Sequence, residues 1–171
     1  MSTVLSGVNA GPAAHEFFTP ENLLLMDETV HEVYSTMLNL EVVANGEING
    51  DELMRHEQTA IVGFAGALSG ICEISMSAQA SIAITSGMMG GMEVEMGPEV
   101  CDAMGELCNM LSGGWKNRVP GLGAACSLSV PTVIEGAAYS VRRPPHTRIN
   151  RRSYNFGDGF LLLLTLLYDP T

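Results

Sequence analysis

Three polar side chains stand close together in the run DAMGELCNMLSGGWK: Asp102, Glu106 and Asn109. Gly105 sits directly before the glutamate, and Ser112-Gly113-Gly114 follows. A carboxylate suits a cationic partner group, and a carboxamide offers an acceptor and donors from one rigid plane. The amide does not titrate, so it would orient another molecule rather than act as a strong base. Asparagine is a poor helix former and has no capping duty here. Gly105 adds a penalty of about 1 kcal/mol relative to alanine in a helix. Two such penalties side by side suggest a face kept clear for another molecule.

The element that must position these groups is a helix predicted from Pro98 to about Ser112, stopped by Ser-Gly-Gly. At about 100° per residue, Val100, Met104, Leu107, Cys108 and Leu111 form a core-facing stripe. Asp102, Glu106 and Asn109 fall within roughly 60° on the opposite side. Gly105 and Ser112 flank them and keep that face low and approachable. Lys116 and Arg118 suit the negative end of the helix dipole. Spacing alone also fits an ordinary solvated face, since any amphipathic helix turns polar residues outward.

The rest of the chain supplies a scaffold. Residues 1–18 are expected to be a flexible lead-in, followed by a single domain over 19–171. Thr19 and Pro20 open a helix to about Leu38, with Leu23, Met26, Val30, Val33, Met37 and Leu38 at helical spacing. EVVANGEINGDEL reads as a loop with two Asn-Gly-type turn signals. AIVGFAG and GICEISMSA form a hairpin through Leu68-Ser69-Gly70, the second strand having one buried and one wet face. Ala80, Ala83, Ile84, Gly87 and Met88 return to helical spacing. LGAACSLSVPTVIEGAAYSV gives two strands broken at Pro131. The last two strands flank Gly157-Asp158-Gly159, a hairpin signal. FLLLLTLLY is apolar on both faces, so it is either central or covered by a partner. The expected fold is α+β: a mostly antiparallel β-sheet with about three helices packed on one face.

Composition narrows the function. The 171 residues are 46% hydrophobic and 16% charged, an ordinary globular balance, with a net charge of −11 that argues against nucleic acid or an anionic membrane as partner. All but three of the acids precede residue 111, whereas Arg142, Arg143, Arg148, Arg151 and Arg152 cluster late. That cluster is either a solvated loop and strand face or a contact patch for an acidic surface. Eleven methionines serve as adaptable core filler or as a Met-rich contact surface. Cys72, Cys101, Cys108 and Cys126 sit in apolar runs without a CxxC pair, which fits buried free thiols in a reducing cytoplasm. The N-terminus lacks the features of a signal peptide, and the nine-residue apolar run is too short to span a bilayer. A cytoplasmic location is expected.

Other chemistries lack their parts. His15, His31, His56 and His146 show no HxxxH or HExxH spacing, so no metal site is expected. Neither GxGxxG nor GxxxxGK[ST] is present. SGMMGG holds no lysine and marks a helix end. Cys108 belongs to the core stripe, which disfavours a nucleophilic thiol.

Asp102-x3-Glu106-x2-Asn109, with Lys116 and the downstream SLSVPTVIEG strand containing Pro131, resembles the signature of the CheC/CheX/FliY phosphatases of bacterial chemotaxis. CheC-like members carry two signature helices and CheX-like members one. Here the first helix holds only Glu28-x3-Glu32-x2-Ser35, where serine cannot replace a carboxamide, so the chain looks CheX-like. The resemblance implies action on the aspartyl phosphate of a phosphorylated CheY-like response regulator. It makes Asn109 the residue that positions the attacking water and Glu106 the anchor for the receiver's lysine. Asp102 would lie at the rim of the contact, and Gly105 would admit the partner's loops. No cofactor of its own is implied, since the receiver carries the Mg²⁺. It also implies a homodimer. The alternative is a non-catalytic docking module that binds a receiver or a flagellar-switch component through the same helix.

Overall fold

The Thr19 hydroxyl accepts a hydrogen bond from the Asn22 amide at 3.2 Å, and Pro20 takes the first helical position. These two residues start α1 (Pro20–Val33) where the sequence places it. The computed structural model describes residues 13–48, 57–136, 139 and 144–169. Beyond Val33 the helix widens into a π turn, Tyr34–Leu38, and ends at Asn39 in the left-handed region with φ 52°. Part of the expected lead-in is structured. Ala14–Phe17 form a 3-10 turn with Phe17 buried, and Phe18 stacks on Tyr168 at 3.7 Å. Aromatic burial holds this segment against the core; residues 1–12 lie outside the described part.

The sheet consists of β1 (Val42–Glu47), β2 (Gln58–Gly66), β3 (Gly70–Met76), β4 (Cys126–Leu128), β5 (Thr132–Glu135), β6 (Arg148–Phe156) and β7 (Phe160–Tyr168). Its order is β1-β6-β7-β3-β2-β4, with β5 also on β2, and every pairing is antiparallel. β7 lies between β3 and β6. Its apolar character therefore follows from a central position. The β6–β7 turn uses Gly157 and Gly159 at positive φ, as the Asp-Gly signal predicts.

β1 corrects the reading of EVVANGE as loop. Asn45-Gly46 makes a bulge in an edge strand, with a register shift between Ala44 and Gly46, and Gly46 at φ 86°. The Asn45 amide also donates to the Asn155 side chain at 2.7 Å. A turn-type dipeptide here bends a strand instead of reversing the chain.

Helices α2 (Ala78–Met88) and α3 (Pro98–Arg118) complete the fold, α2 being capped by Ser77. Register puts Ala60, Ile74 and Leu164 on one row, and Val62, Cys72 and Leu166 on the next. These rows form one core with Met26, Val30, Ile84, Met104, Leu107 and Trp115, which places all three helices on the same face. The other face of β3 is not wet as expected, because Glu73 and Ser75 are also buried. Ser75 bonds to Thr59 at 2.9 Å, and Tyr139 bonds to the same threonine.

Candidate functional site

α3 is the helix on which the predicted site residues stand. Val100, Met104, Leu107, Cys108 and Leu111 are fully buried, as their spacing requires. Burying side chains of this size contributes roughly 1.5–3 kcal/mol each, so the helix cannot roll to hide its polar face. Its length exceeds expectation, because Gly113-Gly114 does not stop it. A Cβ on Gly114 would lie 2.6 Å from Thr29 Cγ2, so this glycine lets α1 cross closely. One residue on, Trp115 is buried and its indole N–H donates to the Asn22 carbonyl at 2.8 Å. Tertiary packing therefore carries the helix through its weakest pair of residues.

Asp102 and Glu106 are exposed and Asn109 is half-buried, all on the face away from the core. Among the described residues, neither Glu106 nor Asn109 has its side chain engaged by a hydrogen bond or an ion pair. The two groups are left unspent. Lys116 donates to the Gly123 carbonyl, and Arg118 reaches Glu28 and Glu32 on α1. Neither cation is available to neutralise the Asp102–Glu106 face.

Two other candidates lie elsewhere than expected. Ser112 is fully buried, and its hydroxyl donates to the Cys108 carbonyl at 2.7 Å. It satisfies itself within the helix and offers nothing to a partner. Gly105 is buried as well, because Pro131 covers it: a Cβ there would lie 3.3 Å from Pro131 Cβ and 3.7 Å from Val133 Cγ2. The close approach that Gly105 permits is that of the protein's own strand. Residue spacing shows that a glycine is needed but not which neighbour needs it.

Pro131 sits in a break along one edge of the sheet. β4 pairs with the end of β2 and β5 with its beginning, while Ser129 spans the gap. The Ser129 amide donates to the Gly63 carbonyl at 2.9 Å, and its hydroxyl accepts from the Gly63 amide at 2.8 Å. Proline lacks the N–H that a paired strand would use, so an edge break accommodates it. Leu128 approaches Gly113 on the same helix, with 3.7 Å from its Cδ1 to a Cβ placed there. The link 128–131 therefore runs alongside α3 from Gly113 back to Gly105. Val130, in that link, is 86% exposed and went unnoticed in the sequence. Its β-branched type in a strand-like run gave no signal of solvent exposure.

The remaining sequence candidates separate. Cys72, Cys108 and Cys126 are buried free thiols, but Cys101 is only partly buried, at a helix position beside Asp102. Burial and the neighbouring Glu135 carboxylate push the Cys101 thiol pKa up, so it is held protonated. Cys108 is pushed up further by the facing Cys72 and by burial, and its thiol donates to the Ala60 carbonyl at 3.5 Å. Neither is an activated nucleophile. Arg152, placed in the basic cluster, is an interior residue bonded to Asp27 through both Nε and Nη2, with Tyr154 donating to the same carboxylate. It cannot serve as part of a surface patch. Arg142 and Arg143 lie outside the described residues.

A cleft of about 340 Å³ opens between α1 and β1, lined by Asp27, Glu28, His31, Val42, Ala44 and Tyr154. It does not include Glu106 or Asn109. The α3 face is a convex helix surface flanked by an edge strand, a shape for meeting another macromolecule rather than enclosing a small one.

The family model for chemotaxis phosphatase CheX matches residues 58–151, which contain Asp102, Glu106, Asn109 and Pro131. The chain belongs to the CheX family. Within it, the CheY-P phosphatase CheX of Thermotoga maritima is 31% identical over 88 residues, covering 51% of this chain and 57% of that protein. The chain thus spans little more than half the length of this curated relative. A CheC-like superfamily protein from a Shewanella species superposes with TM-score 0.76 at 20% identity, over 88% of this chain and 99% of that one. A chain of the CheX-CheY-BeF3-Mg²⁺ complex from Borrelia burgdorferi gives 0.74 at 15%, over 86% and 98%. These likenesses establish the CheC/CheX-like fold. Among the described residues, no helix is long and apolar enough to cross a membrane.

Proposed function

We propose that this CheX-family protein accelerates hydrolysis of the aspartyl phosphate on a CheY-like response regulator. The observation that carries the proposal is the unspent pair on α3: an exposed carboxylate at Glu106 and a half-buried carboxamide at Asn109, fixed by a fully buried opposite face. The Thermotoga relative, named a CheY-P phosphatase, and the Borrelia CheX–CheY complex support the choice of substrate.

Positioning is the main lever in phosphoryl transfer, because little covalent chemistry falls to the protein. Asn109 can accept a hydrogen bond from a water and donate one to a phosphoryl oxygen from the same plane. Its partial burial limits the rotamers open to the amide, and with them the positions a bound water could take. Glu106 takes the receiver's lysine in a charge-assisted contact that anchors the helix. Asp102, one turn earlier, extends the negative rim. The Mg²⁺ would be held by the receiver and would supply charge neutralisation at the phosphoryl group there. Gly105 and Ser112 act indirectly, by fixing the helix against Pro131 and against itself. A homodimer in the cytoplasm completes the reading. It rests on the family resemblance, since β7 is interior and needs no second copy; light scattering at micromolar concentration should return twice the chain mass.

The test is decay of acetyl-phosphate-loaded cognate CheY with and without the protein. Wild type should shorten the lifetime of the phosphorylated receiver. Glu106→Ala should lower kcat/KM by about 100-fold, the scale of one lost charge-assisted contact. Binding without any change in decay would instead identify a docking module.

A further inference from the structure

Among the described residues Val130 is the most exposed large hydrophobic, at 86%, and its position is fixed on both sides. Ser129 is bonded to Gly63 through its amide and its hydroxyl, and Pro131 is seated on Gly105. The link that carries Val130 runs antiparallel to α3, with Leu128 against Gly113 and Pro131 against Gly105. Glu106 and Asn109 lie between those two glycines. Val130 thus stands, exposed, in the link that runs alongside the stretch of helix bearing both. Val43, also strongly exposed at 63%, belongs to edge strand β1, four strands away from β2 and its β4–β5 border. Scattered exposed valines are ordinary, but one clamped at the margin of a charged, unpartnered face is placed to be covered.

We propose that Val130 is a specificity-determining residue of this protein: an apolar contact that seats the receiver against α3 and is buried only in the complex. The inference rests on the proposed function, which supplies the occupant. The face itself selects that occupant's chemistry. Asp102 and Glu106 call for a cationic group, and Val130 beside them calls for an aliphatic or aromatic side chain next to it. A receiver surface offering a lysine adjacent to an apolar residue satisfies both at once. Lysine alone would meet Glu106 in water, where an exposed pair contributes little. Covering Val130 would exclude that water and strengthen the contact. Val130 touches no reacting atom, so its effect falls on association and not on the chemical step.

The experiment measures KM and kcat of Val130→Glu and Val130→Ile with acetyl-phosphate-loaded cognate CheY, with melting curves as the control for folding. Val130→Glu should raise KM by about tenfold or more, with kcat within a factor of about three and an unchanged melting temperature. Val130→Ile should match wild type. An unchanged KM in Val130→Glu overturns the inference, as does a fall in kcat at constant KM. The same variants titrated against CheY carrying Mg²⁺ and beryllium fluoride separate this inference from the phosphatase reading. Tenfold weaker binding by Val130→Glu supports the contact even where wild type fails to hasten decay, and equal binding overturns it.

Discussion

Two helices of this protein carry the same acidic spacing and treat it oppositely. On α3, Glu106 and Asn109 stand three residues apart without a partner among the described residues. On α1, Glu28 and Glu32 are both taken by Arg118, which reaches across from the end of α3. Ser35, at the position matching Asn109, turns its hydroxyl back to the Glu32 carbonyl at 3.1 Å. It also lies in the π turn, where the spacing of a regular helix is lost. Carboxylate spacing is therefore not the site. In the proposed site an open face, a regular helix and an amide come together, and of these two helices α3 has all three.

The contrast can be broken at the point where the helices cross. Gly114→Val would drive a branched side chain into Thr29, since even a Cβ meets Thr29 Cγ2 at 2.6 Å. Overpacking of this kind should cost about 2–3 kcal/mol, read as a lower urea midpoint with unchanged slope. The loss should exceed that of Arg118→Ala. That variant removes a pairing with two glutamates that are more than half exposed, and should cost under about 1 kcal/mol. Arg118→Ala should leave the phosphatase rate at the wild-type value. Adding Ser35→Asn to it, in an Asn109→Ala background, should restore no measurable activity, because the π turn misplaces residue 35. Recovery of activity would show that an amide and an open face suffice.

A smaller effect distinguishes the α1 side by pH. Burial, reinforced by Asp27, pushes the Tyr154 hydroxyl pKa up, and burial alone does so for Tyr34. The unfolded chain starts to release these protons near pH 10 while the folded one keeps them. Stability should thus be level through neutral pH and fall above about pH 10. Tyr154→Phe should flatten part of that fall, which chemical denaturation at pH 8 and pH 11 would measure.

How much of this was legible follows from what each signal depends on. The α3 stripe, the Thr19-Pro20 start and the Gly157-Asp158-Gly159 turn are local, and all three stand as read. The failures share a cause. In sequence Asn45-Gly46 reads as a turn, Gly113-Gly114 as a stop and Gly105 as an opening for a partner. Gly114 instead serves α1 and Gly105 serves Pro131, while Gly46, at positive φ with open space around it, serves a bulge in a strand whose partner β6 is distant in sequence. Arg152 reads from sequence as one of the surface arginines, although it is buried against the half-buried Asp27 of α1. One-dimensional spacing identifies which residues depart from a helix or strand norm. It does not identify the partner that makes the departure worthwhile, and for Val130 it gave no departure to notice.

The most direct measurement is kcat of Asn109→Ala at saturating phosphorylated CheY, alongside its affinity for CheY carrying Mg²⁺ and beryllium fluoride. Loss of an amide that orients the attacking water should lower kcat by about 100-fold or more, with affinity within about threefold of wild type. A wild-type kcat in Asn109→Ala, with receiver binding intact, would contradict the role assigned to that amide.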